Sequence, residues 1–230
     1  MSTEHRSPLG RGVGFVTDLL EHPLFGTEVR RTRYALAFLA GLAALVLASH
    51  AGTVITVGGA PLETTTWLFD TLSAIIIVGV VAAITVVPIA YAGWNGGPAM
   101  AFAIPLVPVA LGELIAGRYV LGLDMAIALT VGAVGAAVAL YATDVRQTRR
   151  FRPWRAGSID DDLLVFVTTV SLVASLSAVS FVRTVPDHVL ELYTPFLVLW
   201  LVPAVIVCTY WGVWTRVALE AGRDRRPLES

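Results

Sequence analysis

Four side chains in this sequence could do chemistry in or beside a membrane: Glu113, Arg118, Asp124 and Arg183. Glu113 stands in Leu111-Gly112-Glu113-Leu114-Ile115, an otherwise apolar stretch. A carboxylate in such a setting is costly, so it faces a bundle interior or water, or snorkels to the interface. On one reading it is a proton or cation site. On the other it is a structural charge neutralised by an arginine. Glu113 and Arg118 are five positions apart and share a helix face poorly, which leaves Arg183, on a different apolar run, as a plausible partner. Asp124 fits as a capping residue at the start of a helix. It also adds, with Glu113, to an acidic surface able to concentrate cations.

A second group is cationic. The run Arg146-Gln147-Thr148-Arg149-Arg150-Phe151-Arg152-Pro153-Trp154-Arg155 interleaves arginines with aromatic rings. Arg149, Arg150, Arg152 and Trp154 are candidates for contact with anionic lipid headgroups. The blander reading is that they anchor topology alone. Asp160-Asp161-Asp162 and the pair His188 and Glu191 have metal-like composition, but without further histidine or cysteine ligands no metal site is expected. No cofactor is expected either. The chain has no Gly-x-Ser-x-Gly elbow, no phosphate-binding Walker loop and no His-Glu-x-x-His, so nucleophilic and metal catalysis lack their usual residues. The single cysteine, Cys208, makes no disulfide framework.

The elements that must hold these residues are apolar helices. The chain of 230 residues is 56% hydrophobic and 14% charged, against about 25% charged in soluble domains. Apolar runs long enough to cross a bilayer lie near Tyr34–Thr56, Trp67–Ala92, Pro98–Gly117, Asp124–Thr143, Leu163–Val182 and Pro195–Thr215. The expected fold is an all-α integral membrane bundle of six transmembrane helices. Residues 1–33 form an N-terminal segment, 34–215 the transmembrane domain and 216–230 a basic tail. Within Leu9–Phe25, Val13, Val16, Leu19 and Leu20 recur at helical spacing, which predicts a short amphipathic helix on the membrane surface, ended by Pro23. A disordered tail is the alternative.

Charge sets the orientation. The chain has sixteen arginines and no lysine. Five precede the first run, five lie between the fourth and fifth, and four follow the sixth. Six crossings put these blocks on one side, where five or seven would split them. The positive-inside rule then places both termini in the cytoplasm of a multi-pass cell-membrane protein. Pro88, Pro105, Pro108 and Pro203 interrupt the runs, so kinks are expected. Gly132 with Ala136, Gly135 with Ala139, and Ser171 with Ser175 have the four-residue spacing of helix-packing seams. With Thr168, the serines could instead line a polar conduit.

Complete arginine-for-lysine usage, Ala/Val/Gly-rich spans and acidic loops such as Asp160-Asp161-Asp162 resemble uncharacterised polytopic membrane proteins of halophilic archaea, a composition that high-GC bacteria can share. The resemblance rests on composition without a family motif and transfers no functional residue. The activity expected from the residues is that of a small-solute or ion permease, or of the membrane subunit of a transporter. A non-catalytic scaffold or assembly protein is the alternative, and a lipid-modifying enzyme ranks below both. The bilayer itself, with anionic lipids at the cytoplasmic face, is the expected partner. A net charge of −1 does not suit nucleic acid, and a protein partner or homo-oligomer stays open.

Overall fold

The computed structural model describes residues 20–61, 67–117, 121–155 and 160–224. Arg118 and residues 9–19 of the expected amphipathic segment lie outside that set. Leu20 is helical and the chain turns through Glu21–Phe25. Helix α1 then covers Val29–Val54. A two-residue antiparallel ladder, Thr56–Val57 against Ala60–Pro61, turns at Gly58 and Gly59, both at positive φ. Helices α2 (Trp67–Thr85), α3 (Val87–Asn95), α4 (Pro98–Ala116) and α5 (Leu123–Thr148) follow. After a 3-10 turn at Pro153–Arg155 come α6 (Asp161–Thr184) and α7 (Asp187–Leu197). A second 3-10 turn, Val198–Trp200, joins α7 to α8 (Leu201–Asp224).

The fold is all-helical and of membrane type. Five stretches are each long and apolar enough to span, and a sixth arises if α2 and α3 are counted as one span bent by 54°. The second expected run is thus a broken helix. Pro88, in the first turn of α3, supplies the reason: it has no N–H to donate and its ring crowds the carbonyl four residues back. Pro105 and Pro108, by contrast, lie within an unbroken α4 and are buried. The last run also starts earlier than its hydropathy suggests. Helix begins at Asp187 and runs on through the 3-10 turn toward Ala221, because α7 buries Tyr193 against Ala126, Ala178 and Phe181.

Helix α5 is the axis of the bundle. Of its apolar window 72% is buried, against at most 33% in the other four unbroken spans. Its small side chains make this possible. A Cβ on Gly132 would lie 3.0 Å from the Phe102 carbonyl oxygen, and one on Gly135 would lie 3.3 Å from that of Ala101. So α4 approaches α5 at backbone distance, as the small-residue spacing predicts. Outward-facing Ile77, Val78, Leu172, Leu176 and Val205 stay exposed, which is the surface a helix presents to lipid tails.

Candidate functional site

The polar chemistry gathers at one end of the bundle, around two side chains that the sequence did not single out, Asn95 and Asp144. Asn95 ends α3 and is fully buried. Its Oδ1 accepts from the Glu28 backbone N–H at 2.9 Å, capping α1 from outside its own chain segment. Its Nδ2 donates to the Tyr91 hydroxyl at 2.8 Å and to Thr32 Oγ1 at 3.0 Å. Its carbonyl accepts from the Thr27 N–H at 2.9 Å. The Tyr91 hydroxyl donates to the Phe25 carbonyl, and the Ala99 N–H donates to the Leu24 carbonyl at 2.9 Å. Residues 24–28 therefore form a strap across the Trp94–Pro98 turn. Gly97 permits the crossing, since a Cβ there would fall 2.2 Å from the Phe25 oxygen.

Two arginines complete this end. Arg31 donates to the Trp94 carbonyl and Arg146 to the Gly93 carbonyl. Both carbonyls belong to the C-terminal turn of α3, where unpaired acceptors and the helix dipole favour cations. Arg31 also pairs with Glu28 at 2.8 Å and lies 5.2 Å from the Trp94 ring centroid. The first two arginine blocks thus meet at the same end of the bundle, as an even number of intervening crossings requires. These arginines tie α1 and α5 to the end of α3.

Asp144 lies beyond the expected end of its span, on α5, and is 6% exposed. Its Oδ2 accepts from the Tyr210 hydroxyl on α8 at 2.8 Å. A cavity beside the pair is lined by Thr143, Gln147 and Asp160 among others, with room for about one water molecule (about 10 Å³). No ion pair reaches Asp144 among the described residues. Arg146, two positions on, projects from the opposite side of α5 and is committed to α3. Asp160 caps α6, accepting from the Leu163 N–H at 3.2 Å. A signal for Asp144 was present: it is four residues from Leu140 and seven from Ala137, both buried, so it continues the buried stripe. Hydropathy alone reads it as an interfacial charge.

The residues singled out from sequence fall in three places. Glu113 lies near the far end of α4, half-buried, and its Oε2 is shielded without a hydrogen-bond partner among the described residues. Asp124 is not the expected cap, since Gly122 holds that position; it lies in the first turn of α5 and accepts from the Met125 N–H at 2.9 Å. Both acids converge over Gly122, where a Cβ would lie 2.8 Å from Asp124 Oδ1 and 3.9 Å from Glu113 Oε1. Arg183 is not paired with Glu113. Helices α4 and α6 both pack on α5 and only lightly on each other, so α5 keeps the two charges apart. Arg183 instead lines a groove between α6 and the junction of α7 with the second 3-10 turn, at Leu197 and Trp200.

The third place is the loop after α5. Arg149, Arg150 and Arg152 are exposed there. Phe151 is 85% exposed. Trp154 is half-buried, its ring centroid 6.3 Å from that of Tyr141. Arg149 holds the left-handed C-cap of α5 at φ 52°, a conformation unusual for a residue with a Cβ. The Tyr141 hydroxyl fixes the loop by donating to the Phe151 carbonyl at 2.9 Å. Among the described residues no cluster of three metal-ligating side chains occurs, and His188 and Glu191 fall on α7. Comparison of the chain with family models, characterised proteins and solved structures finds no match.

Proposed function

We propose that this chain is a permease for protons or small cations, or the membrane subunit of such a transporter, working along α5 with both termini in the cytoplasm. Asp144 carries the reading. It is a buried carboxylate on the central helix, beside a polar cavity and without a cationic partner among the described residues. A buried acid on a membrane helix, even near its end, suits an ion pathway, because retaining an unpaired charge there is otherwise a net cost. The cavity size narrows the solute: a space for about one water suits a proton or a dehydrated small cation. Asp124 supplies an acid at the other end of the same helix, roughly 30 Å away at 1.5 Å per residue, where Glu113 of α4 converges with it over Gly122.

Reconstituted protein should carry a cation or proton flux that Asp144→Asn lowers at least about tenfold and Glu113→Gln lowers less. Flux equal to wild type in both variants rejects the role of these acids. No flux above protein-free liposomes would instead leave the scaffold reading, which the exposed Phe151 loop supports as a contact for a partner. The orientation has its own check. Reporters at Gly58 and at the C-terminus should label from opposite faces of the membrane, and labelling from one face would overturn the assigned topology.

A further inference from the structure

The side of the bundle formed by α6 and α8 carries a groove that the permease reading does not use. Two adjoining clefts, about 280 and 240 Å³, share Ser175 and Trp200. Arg183 stands at one end, with Val179 and Leu197 beside it, and the groove continues past Leu172 and Ala204.

The hydroxyls along this groove do not make it polar. Ser175 Oγ donates to the Leu172 carbonyl at 2.9 Å. Thr168 Oγ1 donates to the Leu164 carbonyl at 2.7 Å and accepts from Trp211 Nε1. Ser171 Oγ is shielded from the groove and has no hydrogen-bond partner among the described residues. The Trp200 N–H is also turned inward, donating to the Tyr193 hydroxyl at 3.2 Å. That hydroxyl is 2.6 Å from Thr130 Oγ1, whose proton is committed to the Ala126 carbonyl. What faces the groove is mostly carbon, and the polar conduit, the alternative to a packing seam along α6, is not formed. A hydrated solute has no partner there, whereas a hydrocarbon chain does.

Only Arg183 among the lining residues is charged, and it is exposed with no ion pair among the described residues. Asp187, His188 and Glu191 on the neighbouring α7 do not reach it within ion-pair distance. From Arg183 to Ser171 is twelve residues, roughly 18 Å of helix. That is about the depth from headgroup to midplane in a bilayer whose apolar core is about 30 Å thick. We propose that the groove holds one acyl chain of an anionic phospholipid, with its phosphate on Arg183. The charge complement, the apolar lining and the length together select this occupant over a protein helix, for which Arg183 would be a buried unpaired charge.

Native mass spectrometry of the detergent-purified full chain, titrated with phosphatidylglycerol and with phosphatidylcholine of the same chains, tests this. One phosphatidylglycerol should be retained, with about tenfold preference over phosphatidylcholine, the scale of a charged hydrogen bond. Arg183→Gln should abolish the preference and Arg183→Lys restore most of it. Ser175→Phe, which fills the junction of the two clefts, should lose the retained lipid of both kinds. Brominated chains should quench Trp200, and the quenching should fall in Ser175→Phe. Arg183 and Ser175 are not in the bundle core, so these variants should elute as wild type does. Equal retention of both lipids by wild type, or a preference unchanged in Arg183→Gln, would overturn the proposal, as would a lipid retained fully by Ser175→Phe. None of these outcomes depends on flux.

Discussion

Asn95→Ala is expected to lower the unfolding free energy of the detergent-solubilised protein by about 3 kcal/mol. The side chain is fully buried and ties the Glu28 N–H and Thr32, at the start of α1, to Tyr91 on its own helix. Its removal orphans the Glu28 N–H, which then lacks an acceptor at the start of α1, and takes a donor from Tyr91 and Thr32. Each orphaned buried group costs about 1–3 kcal/mol. The lower part of that range applies to the two hydroxyls, because both still bond to the Phe25 carbonyl. The same variant should speed proteolysis within residues 20–28, since the strap then loses its central tie. Equilibrium unfolding monitored by circular dichroism gives the first number and a timed digest the second. A change below about 1 kcal/mol with an unchanged digest would mean that Asn95 does not hold the strap.

Gly132→Leu should cost about 3 kcal/mol through a different mechanism. Position 132 faces Phe102, whose carbonyl and ring carbon both lie 3.0 Å from the point a Cβ would occupy. A carbonyl of α4 cannot rotate away as a side chain can, so the helices must separate. Separation would open the seam that also includes Gly135 against Ala101, losing contacts along the most buried helix. Gly112→Leu is the matched control. It lies on α4 with nothing within 4 Å of its Cβ point, so leucine there should be neutral or stabilising by up to about 1 kcal/mol through helix propensity. Similar losses at both positions would show that the cost comes from adding leucine to a membrane helix and not from the α4–α5 seam.

The apolar runs were legible because a bilayer leaves a helix little choice. Every backbone N–H and C=O must be satisfied within the segment, so a long apolar run reads directly as a helix. Runs at Pro98–Gly117 and Leu163–Val182 match α4 and α6 within a few residues. Which of the prolines breaks its helix, and where the last span starts, were not legible for local reasons. The break between α2 and α3 depends on how Pro88 is packed, since Pro105 and Pro108 leave α4 continuous. Helix α7 is amphipathic and short, and hydropathy does not register a segment whose stability comes from one buried tyrosine, Tyr193.

The candidate site was legible in part. Glu113 stands out in sequence because its neighbours are apolar. Asn95 and Asp144 do not, because one sits in a turn motif and the other at the edge of a basic block. Their importance arises from contacts 66 to 68 positions apart in the chain, Asp144 with Tyr210 and Asn95 with Thr27. The sequence by itself determined the class and most of the helical segments, because these follow from transfer free energies that act residue by residue. The tertiary structure alone decided that α5 is the axis, that Arg183 faces a groove and not Glu113, and that Arg31 and Arg146 cap α3. Those outcomes depend on which helix faces meet, and small residues such as Gly132 settle that only once a neighbour's backbone lies against them.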